Sequence, residues 1–123
     1  MDRVIYQTSI TKVGAGAPDF LEERMLIFFR EDAPSCLAEF CYLIGPGEGG
    51  CDIQVGDQLV LDGVRCPITA IGETALESFR QLGHLTVRFD GADLAAQPGT
   101  MHVRQPAIPP LSAGTDVRFL RVR

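Results

Sequence analysis

The chain has 123 residues and a formal net charge of −5, with 46% hydrophobic and 22% charged residues. That length suits one domain around one core, and the longest apolar runs, such as "MLIFF" at 25–29, fall far short of the roughly 20 residues that a membrane-spanning helix needs. A single lysine, Lys12, and ten scattered arginines form no clustered basic footprint, which argues against nucleic acid as a main partner, and the opening "MDRVIYQTSITKVG" lacks the basic head and apolar core of a signal peptide.

In chain order, "VIYQTSITKVG" (4–14) is rich in β-branched residues and stops at Gly14 and Gly16, predicting a long strand and a turn. "PDFLEER" (18–24) predicts one or two helical turns, and "MLIFFRE" a short buried strand. Pro34 stands where a first helical position belongs, and Leu37, Phe40, Cys41 and Ile44 recur at helical spacing until Gly45-Pro46, predicting a short helix. Residues 55–72 hold two strand-like runs joined by Asp62-Gly63, the dipeptide of a type I′ hairpin. In "TALESFRQLG", Thr74 and Glu77 have capping-box spacing and Gly83 is a left-handed terminator.

"HLTVRFDG" (84–91) alternates, with Leu85, Val87 and Phe89 on one face and His84, Thr86 and Arg88 on the other. "TMHVRQ" (100–105) repeats the alternation, a Pro-rich connector covers 106–110, and "DVRFLRVR" ends the chain as a strand. An internal echo links "IQVGDQLVL" (53–61) to "LSAGTDVRF" (111–119), each reading as a tight glycine turn feeding a strand. These elements predict a single all-β domain over residues 1–123, a small closed or partly open β-barrel with one or two short helices.

The segment "CYLIGPGEGGC" (41–51) contains G-x-G-x-x-G at Gly45, Gly47 and Gly50. A strand follows it rather than a helix, and it lacks the Lys-Ser/Thr of a phosphate loop, so it reads as a glycine-rich surface loop. Cys36, Cys41, Cys51 and Cys66 have no metal-ligand spacing and read as reduced, mostly buried thiols, with no metal or cofactor expected. His84 and His102 are the only histidines and fall on the polar faces of their strands, with Arg88 and Arg104 on those same faces. Imidazole beside guanidinium suits a phosphoryl or carboxylate group. Strands with one wet face also carry such residues without any site, and His84 could bond the carbonyls of the preceding helix.

Taken together, "VIYQTSITKVG", "MLIFFREDAP", "FCYLI", "PITAIG", "LGHLTVRFDG" and "PGTMHV" resemble, in order and spacing, the glucitol/sorbitol-specific enzyme IIA family of the phosphoenolpyruvate-dependent sugar phosphotransferase system. The resemblance implies a cytoplasmic β-barrel phosphocarrier. Such a protein takes a phosphoryl group from the histidine phosphocarrier protein onto its own histidine and passes it to the IIB domain of a membrane sugar permease, with no cofactor.

In the family this histidine lies in a His-x-His-Gly stretch after the segment reading "FCYL". Ile44, Gly45, Pro46 and Gly47 stand there instead, with Glu48 keeping the register. Isoleucine and proline have no imidazole lone pair. Three functions are therefore consistent with the sequence: a regulatory or binding homologue that no longer carries phosphate, a phosphocarrier using His84 or His102, or a small-ligand or interaction domain unrelated to sugar uptake.

Overall fold

The computed structural model describes residues 2–122. Its clearest local determinant is the Asp62-Gly63 turn, where φ is 47° and 83°. Two successive positive φ angles twist a hairpin in the sense that its strands require, and Gly63 takes its share without steric cost. Strands β5 (Gln58–Leu61) and β6 (Val64–Ile71) pair antiparallel across it, with Leu61 opposite Val64.

Around this hairpin an eight-stranded barrel closes. In addition to β5 and β6 it contains β1 (Arg3–Val13), β2 (Met25–Arg30), β3 (Tyr42–Ile44), β7 (Leu85–Arg88), β8 (Thr100–Val103) and β9 (Asp116–Arg121). The order is β3-β2-β7-β8-β6-β5-β9-β1, and the β1–β3 pair seals the circle. A two-residue strand, β4 (Glu48–Gly49), lies against β1. Closure removes the open edges that invite aggregation.

Two strands make the corners. The first half of β1 pairs with β9 and its end with β3, with a register shift between Ile10 and Lys12. Strand β6 pairs first with β5 and then with β8, with a shift between Ile68 and Ala70. An extra residue on one strand bends it, which lets a single chain segment turn from one half of the barrel into the other. The interior is filled by Ile10, Leu26, Phe28, Tyr42, Ile44, Leu59, Leu61, Leu85, Met101 and Phe119, all buried.

Two neighbouring pairs, β2–β3 and β7–β8, run parallel. Parallel neighbours cannot be joined by a tight turn, so the chain must cross back over the barrel wall. The first crossover holds helix α1 (Ser35–Ala38), and the second is the loop 89–99. This topology lays the second loop beside the outer face of β7 and β8.

The predicted strands at 4–14 and 25–31 correspond to β1 and β2, with a 3-10 helix, Ala17–Glu23, between them. With α1 and helix α2 (Ala75–Leu82) there are three short helices among the described residues, where one or two were predicted. The helical reading of residues 35–44 holds only for Ser35–Ala38, because Tyr42–Ile44 is strand β3. Of the four residues set at helical spacing, Leu37 and Phe40 are exposed and Cys41 and Ile44 are buried, and Tyr42 and Leu43 between them are buried as well. Barrel closure needs a strand here, and a run of three buried residues is what a strand covered on both faces looks like.

The capping box is also absent. Thr74 makes no side-chain cap to α2, and Glu77 binds Arg80 and Gln81 instead. Gly83 does end α2 in the left-handed region, at φ 69°.

The internal echo is structural. Gly56 and Gly114 both have φ 98°. In one copy the Gln54 amide donates to the Asp57 carboxylate (2.7 Å), and in the other the Ser112 amide donates to the Thr115 hydroxyl (3.0 Å). The strands that follow, β5 and β9, pair with each other.

Candidate functional site

The 44–48 loop is anchored along β1. The Gly45 amide donates to the Ser9 carbonyl (3.1 Å), the Thr8 hydroxyl donates to the Gly45 carbonyl (2.8 Å), and Gly50 donates to Ile5 (3.0 Å). Ile44 is 1% exposed and belongs to the main core, while Pro46 and Glu48 are exposed and Gly47 is half-buried. The loop thus offers a surface position at Pro46 and a core position at Ile44.

Gly47 lies against the Tyr6 phenol so closely that a Cβ there would overlap its hydroxyl. The Tyr6 ring meets Phe79 of α2 edge-on, with centroids 5.3 Å apart. Burial pushes the Tyr6 hydroxyl pKa up, with the Arg30 guanidinium opposing. Arg30 also donates to the Gln81 carbonyl (3.1 Å) and the Arg80 carbonyl (3.4 Å) at the end of α2, where orphan carbonyls welcome a cation.

The Cys51 thiol is likewise raised by burial, against the pull of Arg80 and Arg30. Tyr6, Arg30, Cys51 and Arg80 therefore flank the loop. Sequence reasoning did not assign Tyr6, Arg30 or Arg80 to it, since they come from β1, β2 and α2. Chemically this is an anion-tolerant surface beside a loop that itself has no titratable nitrogen side chain.

The four residues singled out on alternating strands do not converge. His84 is half-buried and stacks on Phe29, with centroids 5.0 Å apart and planes 24° apart, and burial lowers its pKa. Its proposed companion Arg88 is directly opposite His102 in the β7–β8 register. Arg104 is elsewhere, beside Gly91 in a cleft with Arg24, Asp90 and Pro106.

His102 is a correction. The alternation put it on a wet face, yet it is 3% exposed. It does point away from the core shared by Met101 and Val103, but the β7–β8 crossover covers that outer face. Its Nδ1 is 2.7 Å from Asp90 Oδ1, and Nε2 has no hydrogen-bond partner among the described residues. Burial raises the Asp90 carboxyl pKa, but the His102 hydrogen bond and the Ala92 amide outweigh that and hold it below the ordinary value. An ionised carboxylate only accepts, so Nδ1 is the donor. Sequence gave no sign of Asp90 as a partner, because strand periodicity says nothing about what a crossover loop brings over a strand.

All four cysteines are unpaired thiols. Cys41 and Cys66 are buried, Cys51 is half-buried and Cys36 is exposed. Burial pushes Cys66 up to about 11. No helix among the described residues is long and apolar enough to cross a membrane.

Comparison with known proteins places this geometry in a family. Residues 5–118 match the family model for the glucitol/sorbitol-specific IIA component of the phosphotransferase system. The chain is 44% identical over 120 residues to the glucitol/sorbitol-specific EIIA components of Shigella flexneri and Escherichia coli K12, covering 98% of each sequence. The fold is shared with the crystal structure of a phosphotransferase-system IIA component from Enterococcus faecalis V583, with a TM-score of 0.77 at 23% identity over 94% of this chain and 99% of that one. The chain belongs to the glucitol/sorbitol-specific IIA component family of the phosphotransferase system.

Proposed function

We propose that this family member is a cytoplasmic regulatory or binding homologue of the sugar phosphotransferase system that does not carry phosphate on its 44–48 loop. The observation behind this reading is the chemistry of that loop. Phosphoryl carriage on nitrogen needs a lone pair that a second protein can reach. Ile44 is buried and has no nitrogen in its side chain, and Pro46, the exposed position, has only a tertiary amide.

The partners implied by the family are the histidine phosphocarrier protein and the IIB domain of a sugar permease. The loop and the flanking Tyr6, Arg30 and Arg80 form the surface on which we expect them to dock. Binding without transfer makes the protein a competitor for these partners.

A second reading moves the carrier role to His84. A lowered pKa keeps its imidazole neutral near pH 7, which a phosphoryl acceptor requires, and it is half-buried rather than sealed. His102, at 3% exposure, is far less open to a docking protein.

The test is incubation with phosphoenolpyruvate, enzyme I and the histidine phosphocarrier. The expected result is no acid-labile, base-stable adduct, together with saturable binding of the histidine phosphocarrier or the IIB domain. A stoichiometric adduct that disappears in His84→Ala establishes the second reading. Absence of both adduct and binding removes both readings.

A further inference from the structure

A cleft of about 280 Å³ lies between the outer face of β7–β8 and the crossover loop, lined by Arg88, Asp90, Leu94, Gln97, Thr100 and His102 among others. It is separate from the 44–48 loop, and the family assignment gives it no role. Two of its groups lack partners. Arg88 makes no hydrogen bond or ion pair among the described residues, and it stands directly opposite His102 in the β7–β8 register. His102 is 3% exposed, and its Nε2 is a buried polar atom with no partner among the described residues, a costly arrangement unless something bound there supplies one.

Each group restricts what that molecule can be. An unpaired guanidinium is best met by a carboxylate, which takes two of its donors side by side, and Gln97 can donate to the same group. A neutral occupant would strip water from Arg88 without supplying a counter-charge. Asp90 does not serve as that counter-charge: its Oδ1 accepts from His102 Nδ1 (2.7 Å) and from the Ala92 amide (3.1 Å), which leaves Oδ2 as an open acceptor. For Nε2, a hydroxyl fits whatever the charge on the imidazole. It donates when that nitrogen carries a lone pair, and it accepts when the nitrogen carries a proton, with Asp90 Oδ2 or water then taking its own hydrogen. Ala92, Leu94 and Ala96 supply an apolar side for a short alkyl group.

We propose that this cleft binds a small 2-hydroxycarboxylate, with its carboxylate on Arg88, its hydroxyl on His102 Nε2 and its alkyl group against Ala92 and Ala96. A carboxylate and a hydroxyl on neighbouring carbons suit two anchors that face each other across one pair of strands. Contact with Nε2 requires the middle of the crossover to move outward slightly. The crossover is tied to the barrel at its ends, by Gly91 to the Val103 carbonyl (2.9 Å), by the Thr69 hydroxyl to the Ala92 carbonyl (2.7 Å) and by Thr74 to the Pro98 carbonyl (2.9 Å). None of the described hydrogen bonds involves residues 93–96, and Leu94 is 84% exposed. The site is independent of whether the 44–48 loop carries phosphate.

The experiment is NMR titration of the full chain with racemic lactate, propionate and lactamide in turn, following the Arg88 Nε–H and the Gln97 and Thr100 amides at about pH 6 and about pH 8. Lactate should give saturable shifts at both pH values, with a dissociation constant of about 1 to 10 mM. Propionate, which lacks the hydroxyl, and lactamide, which lacks the charge, should each bind about tenfold more weakly. Arg88→Ala, a surface change that should leave the fold intact, should remove the preference for lactate over lactamide. His102→Phe should remove the preference for lactate over propionate, and if that variant does not fold, the ligand comparison on the parent protein decides the point. The proposal is overturned by no saturable shift up to about 0.2 M lactate, by propionate or lactamide binding as tightly as lactate at either pH, or by a preference over lactamide that survives in Arg88→Ala.

Discussion

Arg121 grips the buried carboxylate of Asp57 at two points, Nε to Oδ1 and Nη2 to Oδ2, each at 3.1 Å. Asp57 also caps the Gln54 amide and is 4% exposed, so the pair fastens the first glycine turn to the last strand of the barrel. Burial alone would raise the Asp57 pKa, but the Arg121 hydrogen bond and the Gln54 amide overcome it and the net shift is downward.

A lowered carboxylate pKa adds stability that is present above the unfolded value and is lost as pH falls through the folded value. Arg121→Gln should therefore lower the urea midpoint at pH 7, and the gap from the parent protein should narrow below about pH 4. Urea titrations of both proteins at pH 7 and pH 3 measure this. An equal gap at both values would mean that Arg121 acts through packing alone.

His84 supplies a second pH effect, in a higher window. Its folded pKa lies below the unfolded value of about 6.5, so the unfolded chain binds the proton more readily. Stability should be complete above that value and decline as pH falls below it. Replacing His84 with Gln should flatten the profile between about pH 5 and 7, and the NMR titration midpoint of His84 should be below 6.5.

The buried and the exposed position of the glycine loop should respond very differently to the same residue. Ile44→His removes a fully buried aliphatic group and places a polar ring in the core, with an expected cost of about 2 to 4 kcal/mol. Pro46→His alters an exposed position and should cost no more than about 1 kcal/mol. Urea denaturation of both variants distinguishes them, and similar costs would contradict the burial difference.

The hairpin turn gives a calibration point for the fold itself. Gly63 has φ 83° and a Cβ there would meet no neighbouring atom, so Gly63→Ala isolates backbone strain. A loss of about 1 kcal/mol is expected, with no change in the denaturant slope.

Elements set by local chemistry could be read from the sequence. The Asp62-Gly63 turn, the alternation around Val87 and the glycine turns at Gly56 and Gly114 each follow from residues within a few positions of one another. The reading failed where distant segments decide. Tyr42–Ile44 becomes a strand because β1 and β2 need a partner to close the barrel, and helical spacing over so short a run could not reveal that. Thr74 offered a cap that the structure does not use: its backbone amide donates to the Pro98 carbonyl (2.9 Å) and Glu77 binds Arg80 instead.

The candidate site divides the same way. The 44–48 loop was singled out by its position along the chain, while its neighbours Tyr6, Arg30 and Arg80 arrive from three separate elements. His102 was noticed for its residue type, but its burial and its bond to Asp90 depend on a crossover that the parallel β7–β8 pairing demands.

Ile44 ties one end of the glycine loop to the barrel interior, where its side chain is 1% exposed, while Pro46 stands on the surface. A polar replacement at the first position must begin with a less stable barrel, and at the second it need not. The loop is therefore free to vary at one end only, and selection for new surface chemistry should act first on its exposed half.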